Sequence, residues 1–404
     1  MYFYSINFNN LGVLKTLYKQ TFIYGLATVI PRMLSFLLVR LHTDKSVLQN
    51  VSDYGEVSLI FAYFVLFNVV LAYGMETTFF RFFSKEPNKE SVLSTASVSI
   101  LLSSFLFLVL GLLFQHQIAT ITHIHVNYIV LVVWTLFLDA LVIIPFAYLR
   151  ALGKPGTYTL VKLTNVIVNL GLNIFLLVLL KPLASGSKLW EAIYISNFEV
   201  SYILISNLVA SGVTLVLLVR FYLKVSYNVD TLLWKKMLRY ALPVLVAGVA
   251  FSINETFDRV LLERLLTEEV AKTSIGMYSA CYKLALFMML FSTAYRLGIE
   301  PFFFNQAKEK DSKKTYAKVL KYFTILTSTV FLGILLFIDV VKHFIRSDEY
   351  FQGLYVLPWL LMSAVFYGIY YNLSFWYKLS GKTCFGAIIS GIGSILTIVG
   401  NILL

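Results

Sequence analysis

Charged residues are scarce in this chain. Only 13% of its 404 residues are Asp, Glu, Lys or Arg, against about 25% in an ordinary soluble domain. A water-facing surface cannot be covered with so few. Cysteine is nearly absent. Cys281 and Cys384 both sit in apolar runs, which excludes a disulfide framework. No small-residue cleavage site follows the first fifteen residues, so no removable leader is expected. There is no Walker loop, no Gly-x-Ser-x-Gly, no Cys-x-x-Cys and no paired-carboxylate loop. With no catalytic constellation, the expectation is not an enzyme and no cofactor. His116, His123 and His125 share one loop without an accompanying carboxylate or cysteine, and no metal site is expected there.

Apolar residues are abundant: 59% of the chain is hydrophobic and 16% aromatic, with a mean hydropathy of +0.79. A polytopic, all-α membrane protein follows. A span needs about 20 apolar residues. Eleven stretches qualify: 18–41, 56–80, 91–115, 127–149, 157–180, 201–223, 239–262, 275–299, 318–341, 354–376 and 383–404. With the N-terminus in the cytoplasm, the inside segments hold 20 Lys and Arg and the outside segments 7. That bias supports both the number of spans and their direction. It also explains the net charge of +12 by basic cytoplasmic loops, with no nucleic-acid partner.

The chain repeats itself. AYGMETTFFRFFSKE (72–86) is echoed by AYRLGIEPFFFNQAKE (294–309), and YGLATVIP (24–31) by YALPVLVA (240–247). LRALGKPGTY (149–158) faces YKLSGKTCFG (377–386). GLNIFLL (171–177) faces VGNILL (399–404), with Asn173 opposite Asn401. The order is collinear and the shift is six spans, an even number. The two halves are therefore expected as parallel repeats, related by an axis along the membrane normal. The expected units are an N-terminal six-helix lobe over 1–230 and a C-terminal lobe over 231–404 with about five helices. The second half lacks a counterpart to span 6, so the C-terminal end is expected to be missing. WKKMLRY (234–240) reads as a basic amphipathic segment on the inner membrane surface, linking the halves.

An ionisable residue inside a span costs about 2.5–3.5 kcal/mol at its centre. Such a residue is a functional hypothesis by default. Arg32 follows Pro31 near the middle of span 1; it reads as a cation in a central cavity or as the partner of Asp139 in span 4. Glu255, Asp258 and Arg259 crowd one region of span 7, where Glu255 and Arg259 (i, i+4) can pair. They read as cleft-lining, or as an anchor at the headgroups. Lys283 lies too deep in span 8 to snorkel and reads as a cavity cation. Glu76 and its repeat counterpart Glu300 close equivalent spans, with Arg81 and Arg296 as nearby partners. They read as gate or hinge contacts, or as a plain belt of interfacial charge. Lys162 and Arg40 lie near span ends and are expected to snorkel. Gly386, Ser390 and Ser394 recur every fourth residue, which suits close helix packing.

These features together resemble a known family. The YG-x-x-x-x-x-P first helix, the YGEVSLIFAY start of span 2 (54–63), its FF-x-FF close and the LRALGKP turn are similar to the polysaccharide-export branch of the MOP superfamily. Within that branch the chain most resembles the Wzx-type flippases of O-antigen and capsule synthesis. The resemblance implies two six-helix lobes in a V, alternating access, and a cleft lined by spans 1, 2, 7 and 8. It implies a polyprenyl-pyrophosphate-linked oligosaccharide as substrate, moved from inner to outer leaflet of a bacterial cell membrane. Membrane lipids, a polysaccharide polymerase and glycosyltransferases are the implied partners. On this reading Arg32, Lys283, Arg259, Glu255 and Asp258 are substrate-binding residues. Asp139, Glu76, Arg296 and Glu300 belong to coupling or gating. The alternatives are a cation-coupled multidrug antiporter of the same superfamily and a peptidoglycan lipid-precursor flippase. A membrane sugar polymerase is disfavoured by the short outside loops.

Overall fold

The computed structural model describes residues 30–306, except 32 and 35, together with 311–380 and 384–403. Among the described residues every regular element is helical. Eight of the helical stretches are long and apolar enough to cross a membrane. A first helix (α1) covers 30–42 at its described positions. Then come α2 (Val51–Ala72), α3 (Met75–Lys85), α4 (Lys89–Leu113), α5 (Gln115–Thr122), α6 (Val126–Leu141), α7 (Ile143–Ala151) and α8 (Pro155–Ile174). α8 continues through a π-helical turn, Phe175–Leu179, into α9 (Leu180–Ala184). After α10 (Lys188–Glu191) the long elements are α11 (Glu199–Tyr222), α12 (Thr231–Leu265), α13 (Glu268–Gln306) and α14 (Ser312–Leu336). A short α15 (Ile338–Val341) and two 3₁₀ turns, Lys342–Phe344 and Asp348–Val356, precede α16 (Leu357–Leu379) and α17 (Cys384–Leu403). Ten of the eleven expected spans fall on this series; of the first, 18–41, residues 18–29 lie outside the described residues. α12 and α13 have 35 and 39 residues. At about 1.5 Å per residue both exceed a ~30 Å hydrocarbon core, so they tilt or protrude.

Among the breaks within expected spans, two have a clear local reason. In span 2, Tyr73 (φ 31°) and Gly74 (φ 72°) are both left-handed and separate α2 from α3. Gly74 also lies where a Cβ would come within 2.6 Å of the Ala241 carbonyl oxygen. Only glycine meets both demands. The echo of this stretch in the second half runs on inside α13 without a break. In span 4, Pro145 has no N–H for the Leu141 carbonyl, and the helix interrupts at Val142 between α6 and α7. The Tyr222 hydroxyl of α11 donates to that freed carbonyl instead. Tyr222→Phe should therefore lower stability by about 1–3 kcal/mol, the cost of an orphaned buried acceptor. The readout is the thermal midpoint of the purified protein in nanodiscs, and an unchanged midpoint rejects this role.

The core divides unevenly. One large cluster draws on α2, α6, α11, α13 and α16, and so on both halves of the chain; Leu59, Ile203, Ile275 and Leu361 are among its buried members. A second cluster (Met75, Phe79, Ile144, Met237) belongs to α2–α7 and the first turns of α12. A third, separate cluster (Phe303, Tyr371, Phe375) joins α13 to α16, with Tyr316 of α14 packed against it. The large cluster thus joins the halves through several helices of each, whereas in the second cluster the second half contributes only the start of α12.

Candidate functional site

One end of the bundle is closed by an unusually near helix crossing. A Cβ on Gly55 of α2 would stand 1.7 Å from the Lys272 carbonyl oxygen of α13, and one on Gly276 would stand 2.3 Å from the Val51 carbonyl oxygen. Ion pairs surround the crossing and each joins one half to the other: Lys45–Glu349 at 2.8 Å, Asp44–Arg346 at 3.2 Å and Glu56–Lys272 at 3.1 Å; the His123 ring also contacts Glu263 at 2.8 Å. The Arg264 guanidinium also donates to the Ile121 carbonyl. Lys45 and Glu349 are about half exposed, and such pairs contribute at most about 1 kcal/mol each. They mark the closed geometry more than they enforce it.

Asp44 gives this end a pH response. Burial raises its carboxyl pKa, but hydrogen bonds from the Ser46 backbone and hydroxyl and the Arg346 guanidinium outweigh that and leave it below the ordinary carboxylate value. A depressed folded-state pKa means that the contribution is present above about pH 3.9, the unfolded value, and is lost as pH falls through the lower folded one. Asp44→Asn should therefore destabilise the protein near neutral pH, and the difference from wild type should vanish in strong acid. Thermal midpoints measured across pH check this; a constant difference contradicts it.

Beneath the crossing lies a cluster on α12 and α13. Arg259 is only 6% exposed. Its Nη1 pairs with Asp258 at 3.1 Å and donates to the Glu255 backbone carbonyl at 3.3 Å, and its Nε donates to Ser279 at 3.2 Å. The guanidinium lies 4.5 Å from the Tyr282 ring and 5.5 Å from the Tyr278 ring. The Tyr278 hydroxyl donates to the second oxygen of Asp258. The ion pair described for Arg259 is thus with its chain neighbour Asp258, and it reaches Glu255 through the main chain. Lys283, one residue beyond Tyr282, is half-buried. Among the described residues no carboxylate pairs with it, and the charge it feels is that of the cation Arg259. His42 on α1 is buried and bonds Asn173 at 2.9 Å. Lys283 therefore stands beside a second cation where α1, α12 and α13 meet.

The other expected residues lie apart. Asp139 accepts from Ser211 at 2.6 Å and feels the charge of Lys162. Arg32, its expected partner, lies outside the described residues. Lys162 does not snorkel: it turns inward, 4.4 Å over the Phe146 ring. Glu76 pairs at 2.5 Å with Arg150, in the LRALGKP turn, whereas Arg81 stacks on Tyr240 at 4.1 Å. α13 carries Arg296 and Glu300, whose side chains are outside the described residues. His123 of the histidine-rich loop is engaged by Glu263. Sequence reasoning missed His42, Tyr278 and Tyr282. The last two stand at i and i+4 beside a lysine in MYSACYK (277–283), a spacing that puts two rings on one face of the helix.

The family model described as "Polysaccharide biosynthesis protein" matches residues 17–295. No curated protein matches the chain. Among solved structures it is similar to an inward-facing multidrug resistance MATE family transporter of the MOP superfamily (13% identity, TM-score 0.59, 93% of this chain and 88% of that one). It is also similar to the MATE multidrug transporter DinF-BH (15% identity, TM-score 0.62, 96% of this chain and 88% of that one). A third is a MOP superfamily transporter from Pyrococcus furiosus with a binding pocket of reverse polarity (14% identity, TM-score 0.50, 94% of each chain).

Proposed function

The chain belongs to the polysaccharide biosynthesis protein family and is a multi-pass membrane transporter of the MOP superfamily, and on that premise we propose that it flips a polyprenyl-pyrophosphate-linked oligosaccharide across the bilayer. The observation that carries the reading is Lys283: a half-buried ammonium in a helical bundle, beside Arg259 and His42, with no carboxylate on it among the described residues. An unpaired buried cation is costly. Its cost is offset when an anionic headgroup arrives. A sugar pyrophosphate is anionic, bulky and unable to cross hydrocarbon alone, while its lipid tail stays in the membrane. The substrate enters at the end away from the Gly55–Gly276 crossing and leaves when that crossing parts. Arg32, ten residues before His42 in the sequence, would add a further cation to the path. Asp258 and Glu255 then hold Arg259 and tune the field, and Asp139, with Lys162, is the candidate coupling group. Glu76 with Arg150, and Glu300 with Arg296, would form the inner gate. The lobes at 1–230 and 231–404 rock against each other.

Deletion in the native host, followed by mass spectrometry of lipid extracts, tests this. Accumulated lipid-linked oligosaccharide with reduced surface polysaccharide is the expected result. Unchanged lipid-linked sugars with new sensitivity to cationic drugs would instead favour the antiporter, a reading for which the buried carboxylate of Asp139 is the supporting feature. Accumulated peptidoglycan precursor would redirect the substrate to that lipid.

A further inference from the structure

A cavity of about 400 Å³ lies where α1, α13, α14 and the Lys342–Phe344 turn meet, lined by Arg40, Leu284, Phe287, Ile334, Val341 and His343 among others. Its floor is an aromatic triad. Phe36 and Phe287 have ring centroids 4.2 Å apart, Phe36 and Phe344 4.1 Å, and Phe287 and Phe344 6.0 Å. Phe36 is buried, whereas 45% of Phe287 stays exposed beside the groove. An aromatic floor of this kind is rigid, and here it binds the first helix of the chain to the second half.

We propose that this groove is a binding site for an anionic glycerophospholipid, with an acyl chain on the aromatic floor and the phosphate at Arg40. Charge complementarity selects the occupant. Arg40 is exposed, and among the described residues it has no ion pair or hydrogen bond. No carboxylate lines the groove. Asp339, on α15 beside the groove, is held by Lys342 at 2.6 Å. His343 has its Nδ1 committed to the Asp339 backbone carbonyl at 2.6 Å, which leaves Nε2 for an outside partner. An arginine near a span end would snorkel toward headgroups in any case. A snorkelling arginine needs no cavity beneath it, and it does not place a second basic ring at the rim of one. A volume of this size falls in the range of sites that hold small molecules, about 300–1,000 Å³. Because α1 comes from the first half and α13 from the second, a lipid here bridges the halves and favours the closed arrangement of the Gly55–Gly276 crossing. The site is independent of what the transporter carries.

The test uses the full chain in phosphatidylcholine nanodiscs doped with phosphatidylglycerol, read by native mass spectrometry. Phosphatidylglycerol should be retained in preference to phosphatidylcholine. Arg40→Gln should weaken that retention about fivefold, the value of one basic residue at a lipid surface, and Arg40→Lys should restore most of it. Ile334→Trp, which fills the groove and leaves the charge alone, should weaken it too. Equal retention of the two lipids, or retention unchanged in both Arg40→Gln and Ile334→Trp, overturns the site. A polyprenyl phosphate that displaces phosphatidylglycerol stoichiometrically overturns the assigned occupant.

Discussion

Gly55→Val is expected to abolish transport while leaving the protein in the membrane. The reason is geometric. The first carbon of any side chain at this position would stand 1.7 Å from the Lys272 carbonyl oxygen. Carbon and carbonyl oxygen approach no nearer than about 3.3 Å even in favourable contacts. The obstructing atom is main chain, so no rotamer change relieves it; α2 and α13 must separate. Overpacking of this kind costs about 1–3 kcal/mol, which lowers the population of the closed arrangement roughly five- to hundredfold against its alternatives. The Glu56–Lys272, Lys45–Glu349 and Asp44–Arg346 pairs would be pulled apart with it. A thiol cross-linker reports the separation directly. Lys45→Cys with Glu349→Cys should be bridged readily by a short bismaleimide in the wild-type background and poorly with Gly55→Val. Efficient cross-linking in the variant, with transport intact, would show that the crossing is not part of the cycle.

The number and order of helices were legible because the bilayer sets the length of an apolar run, and eleven runs of that length stand in the chain. The partners of the charges were not legible. Arg259 looks to Glu255 by helical spacing, yet the structure turns its guanidinium onto Asp258 and two tyrosines. Glu76 looks to Arg81 nearby, yet pairs with Arg150, 74 residues on. In each case the choice depends on which face of the helix is covered by another helix. Hydropathy reports depth and says nothing of rotation, least of all in helices apolar all round. The close glycine crossing was hidden for a related reason. Gly55 and Gly276 are two glycines among 21, and only their meeting in space distinguishes them. Lys162 was read as a snorkelling residue because its position near a span end permitted that; the inward turn toward Asp139 comes from a partner on another helix.

Lys283→Gln is the sharpest test of the proposed function, because stability and transport should move in opposite directions. In the resting protein Lys283 is half-buried and the charge it feels is the cation Arg259. Glutamine has no charge to desolvate, so the variant should melt at the same temperature as wild type or higher. Transport should fall roughly ten- to hundredfold if the ammonium makes a charge-assisted contact with the substrate, the equivalent of about 1.5–3 kcal/mol. Lys283→Arg keeps the charge and should retain part of the activity. A residue that merely packs would show the reverse: lower stability, with transport falling only as protein is lost. For an exporter of cationic drugs the sign of the transport effect would also invert, since removing a positive charge from the path favours a cationic cargo. Lys283→Gln protein that is stable, correctly inserted and fully active would therefore dismiss both the anionic headgroup and the Lys283–Arg259 pair of cations as the basis of recognition.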